Sequence, residues 1–171
     1  TSGIGSIAIG TNGGAPTWAS VTGLIKELEI DNAVLNEGTI GFVTNPKVKS
    51  KLANTAKVGS TDSVMILNDP WTQLYGYPVK FTTDVPSDLT KGSTSGSCSA
   101  MIAGDWSQLL MGSWGSSPDV LVDPYSSSND GTVKIVVFSE IDAAVRHAQS
   151  FAACLDSVSY THLRAHETPE H

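Results

Sequence analysis

The residues best suited to do chemistry in this chain are its serines and its few histidines. Gly92 to Gly96 reads GSTSG. A nucleophile elbow needs G-x-S-x-G on a strand-to-helix turn, which holds the hydroxyl out where a base can reach it. Here Thr94 stands at the nucleophile position, in a polar stretch. The base would have to be His147, which sits beside Arg146 with no motif around it. A triad also needs a carboxylate partner for that base, which a sequence does not place. A small α+β serine hydrolase is therefore the alternative of a different class, weakened by its own motif. No catalytic residue is assigned.

Other chemistry fares no better. His162 and His166 have the i, i+4 spacing of a metal-binding helix. They lie in VSYTHLRAHET, Val158 to Thr168, which resembles one reading frame of a transposase sequencing adapter at all eleven positions. Residues 158–171 are accordingly expected to be a non-native tail, and 1–157 the protein proper. Asp105, Asp119, Asp123 and Asp130 lack the spacing of a calcium loop. GTNGGAP, Gly10 to Pro16, lacks both phosphate-cradle patterns and reads as a turn. Cys98 and Cys154 have no C-x-x-C spacing and suit a reducing, cytoplasmic site of synthesis. No metal ligand and no cofactor-binding residue is assigned.

The elements that would position any such group follow from pattern. The chain has 171 residues, enough for one ordinary domain; 40% are hydrophobic, 16% are charged, and the formal net charge is −7. That is too apolar for a disordered chain. An acidic chain without a broad basic cluster is a poor nucleic-acid binder. No apolar run reaches the ~20 residues of a membrane helix. The chain opens at Thr1 in a Gly-rich stretch, so it is expected to be a fragment or a processed product.

Thr1 to Ala15 reads as turn or extended chain. Trp18, Val21, Leu24, Ile25, Leu28 and Leu35 predict a helix over Pro16 to Glu37 with one buried stripe. Thr39 to Thr44 predicts a buried strand. Asn45 suits a helix cap and Pro46 the first helical position. Val48 and Leu52 point inward from that helix, with Lys47 and Lys51 on its polar face. Ser63 to Asn68 and Tyr77 to Thr83 predict strands, the second after a tight turn at Gly76 and tolerating Pro78 near its start. Val85 to Ser97 reads as a polar loop. Ser99 to Ala103 predicts a strand ending at Gly104-Asp105. Asp105 is expected to cap a short helix, Trp106 to Met111. Ser113 to Val122 and Thr132 to Glu140 predict long strands joined by the loop DPYSSSNDG. Ala143 to Cys154 suits a strand or a tightly packed segment.

Three of these segments, in order, carry a resemblance. They are GFVTNPKVKSKL (Gly41 to Leu52), LYGYPVKFT (Leu74 to Thr82) and AGDWSQLLMG (Ala103 to Gly112). The strand–Asn45-Pro46–helix element, the Gly76-x-Pro78-Val79 strand and the Gly104-Asp105-Trp106 turn resemble the major capsid protein of tailed bacteriophages, the Hong Kong 97-like shell protein. The resemblance runs over roughly Thr1 to Asp156. It implies an α+β fold: an apical domain plus the closing strands of a peripheral domain. The family's amino-terminal arm, extended loop and long spine helix precede this region and are expected to be absent here. A family lysine–asparagine cross-link is not carried over, because no Asn matches at Thr132-Val133-Lys134.

The resemblance implies a structural protein, not an enzyme, and residence in a virion after assembly in the host cytoplasm. Its implied partners are other copies of itself in pentamers and hexamers, with scaffold, prohead protease, portal and decoration proteins as further candidates. Sequence-specific nucleic acid and membrane are not implied. An encapsulin-type nanocompartment shell is the alternative of the same architecture. Trp71, Tyr75 and Tyr77 flank the Gly76 turn and are the candidates for subunit contact, with core packing as the other reading for Trp71 and Tyr75.

Overall fold

The computed structural model describes residues 3–30, 37–59, 64–68 and 70–158. In chain order the elements are β1 (Gly5–Ile7), α1 (Trp18–Ile30), β2 (Ile40–Thr44), α2 (Pro46–Ala53), β3 (Gln73–Leu74), β4 (Tyr77–Phe81), β5 (Leu89–Lys91), β6 (Thr94–Asp105), β7 (Leu109–Asp123), β8 (Lys134–Val145) and β9 (Phe151–Val158). They fall into two units. The larger runs to Trp106 and resumes at His147, and the smaller is Ser107–Arg146. Leu35 of the predicted helix stripe, and the adapter-like segment beyond Val158, lie outside the described residues.

The larger unit is built on a mixed sheet of order β1-β9-β6-β2-β4-β3, with β5 on β6. β1 runs parallel to β9, and β2 parallel to β4. The long central strand β6 is antiparallel to both β2 and β9. Parallel neighbours need a crossover, and α2 lies in the one between β2 and β4. β2 is buried along almost its whole length, as its unbroken apolar run requires.

Helix α1 buries Val21, Leu24, Ile25 and Leu28. Its start is closed reciprocally: Ser20 N–H donates to Thr17 Oγ1 (3.3 Å) and Thr17 N–H to Ser20 Oγ (3.0 Å). These satisfy donors that the first helical turn leaves open. Helix α2 buries Val48 and Leu52. Together with Phe42, Leu74, Val79, Met101, Ala103, Ala152 and Cys154 these side chains make one core. Each large apolar side chain in it contributes about 1.5–3 kcal/mol.

Asn45 does two jobs at the mouth of α2. Its Oδ1 accepts from Val48 N–H (3.0 Å), and its Nδ2 donates to the Pro86 carbonyl (3.2 Å). The side chain is buried, so truncation leaves both partners unmet. Asn45→Ala is expected to cost about 2 kcal/mol in a urea melt. The opposite sign is expected one strand away. Ser99 and Ser157 face each other across β6 and β9, and neither buried hydroxyl has a hydrogen-bond partner among the described residues. Ser99→Ala or Ser157→Ala should leave stability unchanged or raise it by up to about 1 kcal/mol in the same melt.

Several sequence expectations are corrected. Residues 64–68 form no strand beyond an isolated bridge, Ala56 to Met65. Consecutive Ile66 and Leu67 are both buried, and their N–H groups bond to Thr55 and Leu52 carbonyls at the end of α2, not to a ladder. The helix expected at Trp106 to Met111 is a single 3₁₀ turn, Trp106–Gln108, after which β7 begins. Leu109, Leu110 and Met111 pair there with Val145, Ala144 and Ala143. Asp105 closes β6 and accepts the Thr39 hydroxyl at 2.6 Å, so its carboxyl group serves a neighbouring turn. The polar stretch 85–97 contains the β5–β6 hairpin, turned by Gly92 at φ +56°. The long strands extend further than expected, and 143–154 divides between the end of β8, a 3₁₀ turn and β9.

Candidate subunit interface

The Gly104-Asp105-Trp106 turn works as a junction. A Cβ on Gly104 would sit 2.3 Å from Phe151 Cδ1, so only glycine lets the Phe151 ring lie there. That ring meets Trp106 edge to face, with centroids 5.5 Å apart at 82°. Trp106 Nε1–H donates to the Gly41 carbonyl at 3.0 Å, and Asp105 takes Thr39. The turn therefore ties the end of β6 to the starts of β2 and β9. It carries no reactive group.

Tyr75 and Gly76 are the two residues of the β3–β4 hairpin loop, at φ +55° and +85°. Positive φ at both central positions marks a type I′ turn, where Asn-Gly is the preferred pair. A tyrosine there is strained by about 1 kcal/mol. Trp71 is also left-handed, at φ +57°. Both aromatics are 46% exposed, so neither is core. Tyr77, by contrast, packs against the core.

The rings form two groups. Trp18, Tyr75 and Tyr77 make a ladder with centroid spacings of 5.5 and 6.3 Å. Lys57 Nζ lies 4.5 Å over the Trp18 ring. Beside this ladder opens a cavity of about 530 Å³ lined by Trp18, Lys57, Thr72, Gln73 and Tyr75 among others. Trp71 belongs to the second group, with Lys49 Nζ 4.8 Å from its ring and 4.9 Å from that of Phe81. The sequence pointed to the three aromatics but not to Trp18, which matched the buried stripe of α1, nor to the two lysines. A cation within ~6 Å of a ring centroid leaves no trace in sequence spacing.

The smaller unit is a two-stranded antiparallel ribbon, β7 on β8. Paired residues share a face, so the register sorts the side chains. One face carries Leu109, Met111, Val120, Val122, Ile135, Val137, Ile141 and Val145, broken only by Ser113, Ser139 and Ala143. The other face carries Asp119, Asp123, Lys134, Glu140 and Asp142 among its apolar residues. The uncharged face is open: Met111 is 74% exposed and Ile135 63%. A two-stranded ribbon is marginal without something on its apolar face.

Groups with chemical potential are placed away from chemistry. His147 Nδ1 lies 3.0 Å from Ser150 Oγ, three residues along the same turn, but that serine is buried and shut off from a substrate. Thr94 of GSTSG opens strand β6 and stands on no strand-to-helix turn. Hydrogen bonds from the Ser126 hydroxyl and from the Tyr125 and Ser126 N–H groups hold the Asp123 carboxyl below its usual range, closing the ribbon's loop. Burial pushes the Cys98 thiol up, and the Cys154 thiol up to about 12 from an ordinary 9.0. The unfolded chain then loses the Cys154 proton first as pH rises. The stability this thiol contributes is full below pH 9 and is lost between pH 9 and about 12. Cys154→Ala should flatten the fall in urea midpoint between about pH 8 and about pH 10.

The comparisons agree with this architecture. A family model described as "Phage capsid family" matches residues 1–154. No curated protein matches the chain. Among solved structures, the capsid of an empty GTA particle superposes with a TM-score of 0.61 at 19% identity, over 91% of this chain and 49% of that one. A Mycobacterium phage Che8 structure gives 0.59 at 14% identity, over 89% and 53%. The SrpI encapsulin of Synechococcus elongatus gives 0.55 at 13% identity, over 99% and 56%. The chain thus has the Hong Kong 97-like α+β fold and spans about half the length of the structures it matches.

Proposed function

This chain belongs to the phage capsid family, and on that premise we propose that it is the carboxyl-terminal part of a shell-forming major capsid protein of a tailed phage. The family match over residues 1–154 carries this reading. The fold itself is shared with an encapsulin, so fold alone does not select a phage shell. The family match favours the phage reading over the nanocompartment.

The role is structural, not enzymatic: self-association through buried apolar area around rings of five and six copies. The open face of the β7–β8 ribbon supports it, because eight large apolar residues without one charge need a cover. Contact with other subunits is one way to supply that cover. Trp71 and Tyr75, half exposed and strained, are subunit contacts. Residues 158–171 are read as a tail foreign to this protein, although Val158 itself completes β9 opposite Cys98. The complete protein resides in the virion after assembly in the host cytoplasm. Scaffold, protease, portal and decoration proteins are its further partners.

Sedimentation velocity tests the reading. The complete gene product should sediment as large particles, whereas the present chain should remain a small species. A complete product that stays monomeric under all assembly conditions contradicts it.

A further inference from the structure

Strand β4 joins a concave surface at one end to an exposed acidic loop at the other. At its Tyr77 end lies the 530 Å³ cavity walled by Trp18 and Tyr75, with Lys57 held over the Trp18 ring. At its Phe81 end the chain enters the loop Thr82–Asp88, which presents Asp84, Pro86 and Asp88, all exposed. Four residue steps separate Tyr77 from Phe81 by roughly 13 Å. A socket at one end and a knob at the other make a head-to-tail pair of surfaces, the kind that closes rings of identical subunits.

Both surfaces are pre-shaped. The Pro86 carbonyl accepts from Asn45 Nδ2 (3.2 Å) and from Ala100 N–H (3.0 Å), which pins the loop tip. Buried Val85 anchors it from below. Thr82 Oγ1–H donates to Asp84 Oδ2 at 2.7 Å, and Lys47 Nζ donates to Ser87 Oγ at 3.1 Å. In the socket, the hairpin loop keeps Tyr75 at positive φ, so the ring is held outward at a conformational cost. Lys57 has no carboxylate partner among the described residues. Charge favours the match, since Lys57 lines the socket and Asp84 and Asp88 flank Pro86 on the knob.

Resting on the shell reading above, we propose that the Trp18–Lys57–Tyr75 socket receives the Asp84–Pro86–Asp88 knob of a second copy of this chain. Pro86 packs on the aromatic walls, and a flanking aspartate pairs with Lys57. The contact is heterologous, so each copy gives a knob to one neighbour and a socket to the other.

Charge exchange in the complete gene product tests it. Lys57→Glu alone, and Asp88→Lys alone, should each cut the yield of particles about tenfold. Combining them should restore particles, with unchanged thermal melts in all three. Tyr75→Asn is a second probe. Asparagine suits the positive φ, so this variant should fold at least as well while losing particles to a similar degree. Wild-type particles together with normal particles from both single exchanges overturn the contact and leave the shell reading intact. A combined variant that assembles no better than its parents also overturns the contact. A wild-type product that forms no particles overturns the shell reading, and the contact with it.

Discussion

Replacing Gly104 with alanine is expected to destabilise the larger unit by about 3 kcal/mol. The new Cβ would stand 2.3 Å from Phe151 Cδ1 and 2.8 Å from Cε1. Something must move, and the ring has little room. Trp106 holds its edge at a centroid distance of 5.5 Å, and Trp106 is itself tied to the Gly41 carbonyl. Displacing Phe151 therefore disturbs the starts of β9 and β2 together. A urea melt gives the loss. The double variant Gly104→Ala, Phe151→Ala identifies its cause, because removing the ring removes the clash. The two changes should then cost clearly less together than the sum of their separate costs. Simple additivity would mean the ring is not what excludes the methyl group.

Asp156→Ala is the second large expectation, again about 3 kcal/mol. Asp156 is 2% exposed. Its two carboxyl oxygens accept from Ile9 N–H at 3.1 and 3.0 Å, and one also accepts from Gly10 N–H at 3.5 Å. The Cys154 thiol donates to it at 3.3 Å. Nearby, Gly14 N–H donates to the Asp156 carbonyl (3.0 Å) and Val158 N–H to the Gly14 carbonyl (2.7 Å). This clasp secures a segment whose only strand, β1, has three residues. Truncation leaves the part-buried Ile9 and Gly10 donors without this acceptor. Hydrogen exchange should then show residues 5–14 losing protection before α1 does. Asp156→Asn keeps one acceptor oxygen and should lose roughly half as much stability. Equal protection in wild type and Asp156→Ala would show that the strand pairing alone holds the segment.

How far the sequence leads depends on the range of the interaction. The buried stripe of α1 and the Asn45-Pro46 start of α2 are local, and each is readable from periodicity or cap chemistry within one or two turns. The β-prone run Thr132 to Glu140 is local too, and it predicts a strand, though not its extension to Val145. What the sequence could not supply is contact between distant segments. The meaning of Gly104 lies in Phe151, and that of Asp156 in Ile9, 147 positions earlier. Trp106 to Met111 failed as a helix because Leu109 to Met111 pair with Val145 to Ala143, a partner no local signal announces. Ser63 to Asn68 failed as a strand because Ile66 and Leu67 bury together on α2 in place of alternating. At the candidate interface, Tyr75 was readable from the turn it occupies. Trp18 and Lys57 were not, since the ladder and its cation form only once α1 and the Gly76 turn meet.

The ordered segments Gly41 to Leu52, Leu74 to Thr82 and Ala103 to Gly112 locate these contacts within one architecture. Each holds a strand against its neighbours. The chain is accordingly read through what its surfaces meet. Negative-stain electron microscopy of the complete gene product tests that claim most directly. The account predicts closed icosahedral shells from the complete protein and none from this chain alone. A complete product that remains dispersed as monomers, under conditions where it is folded, would contradict it.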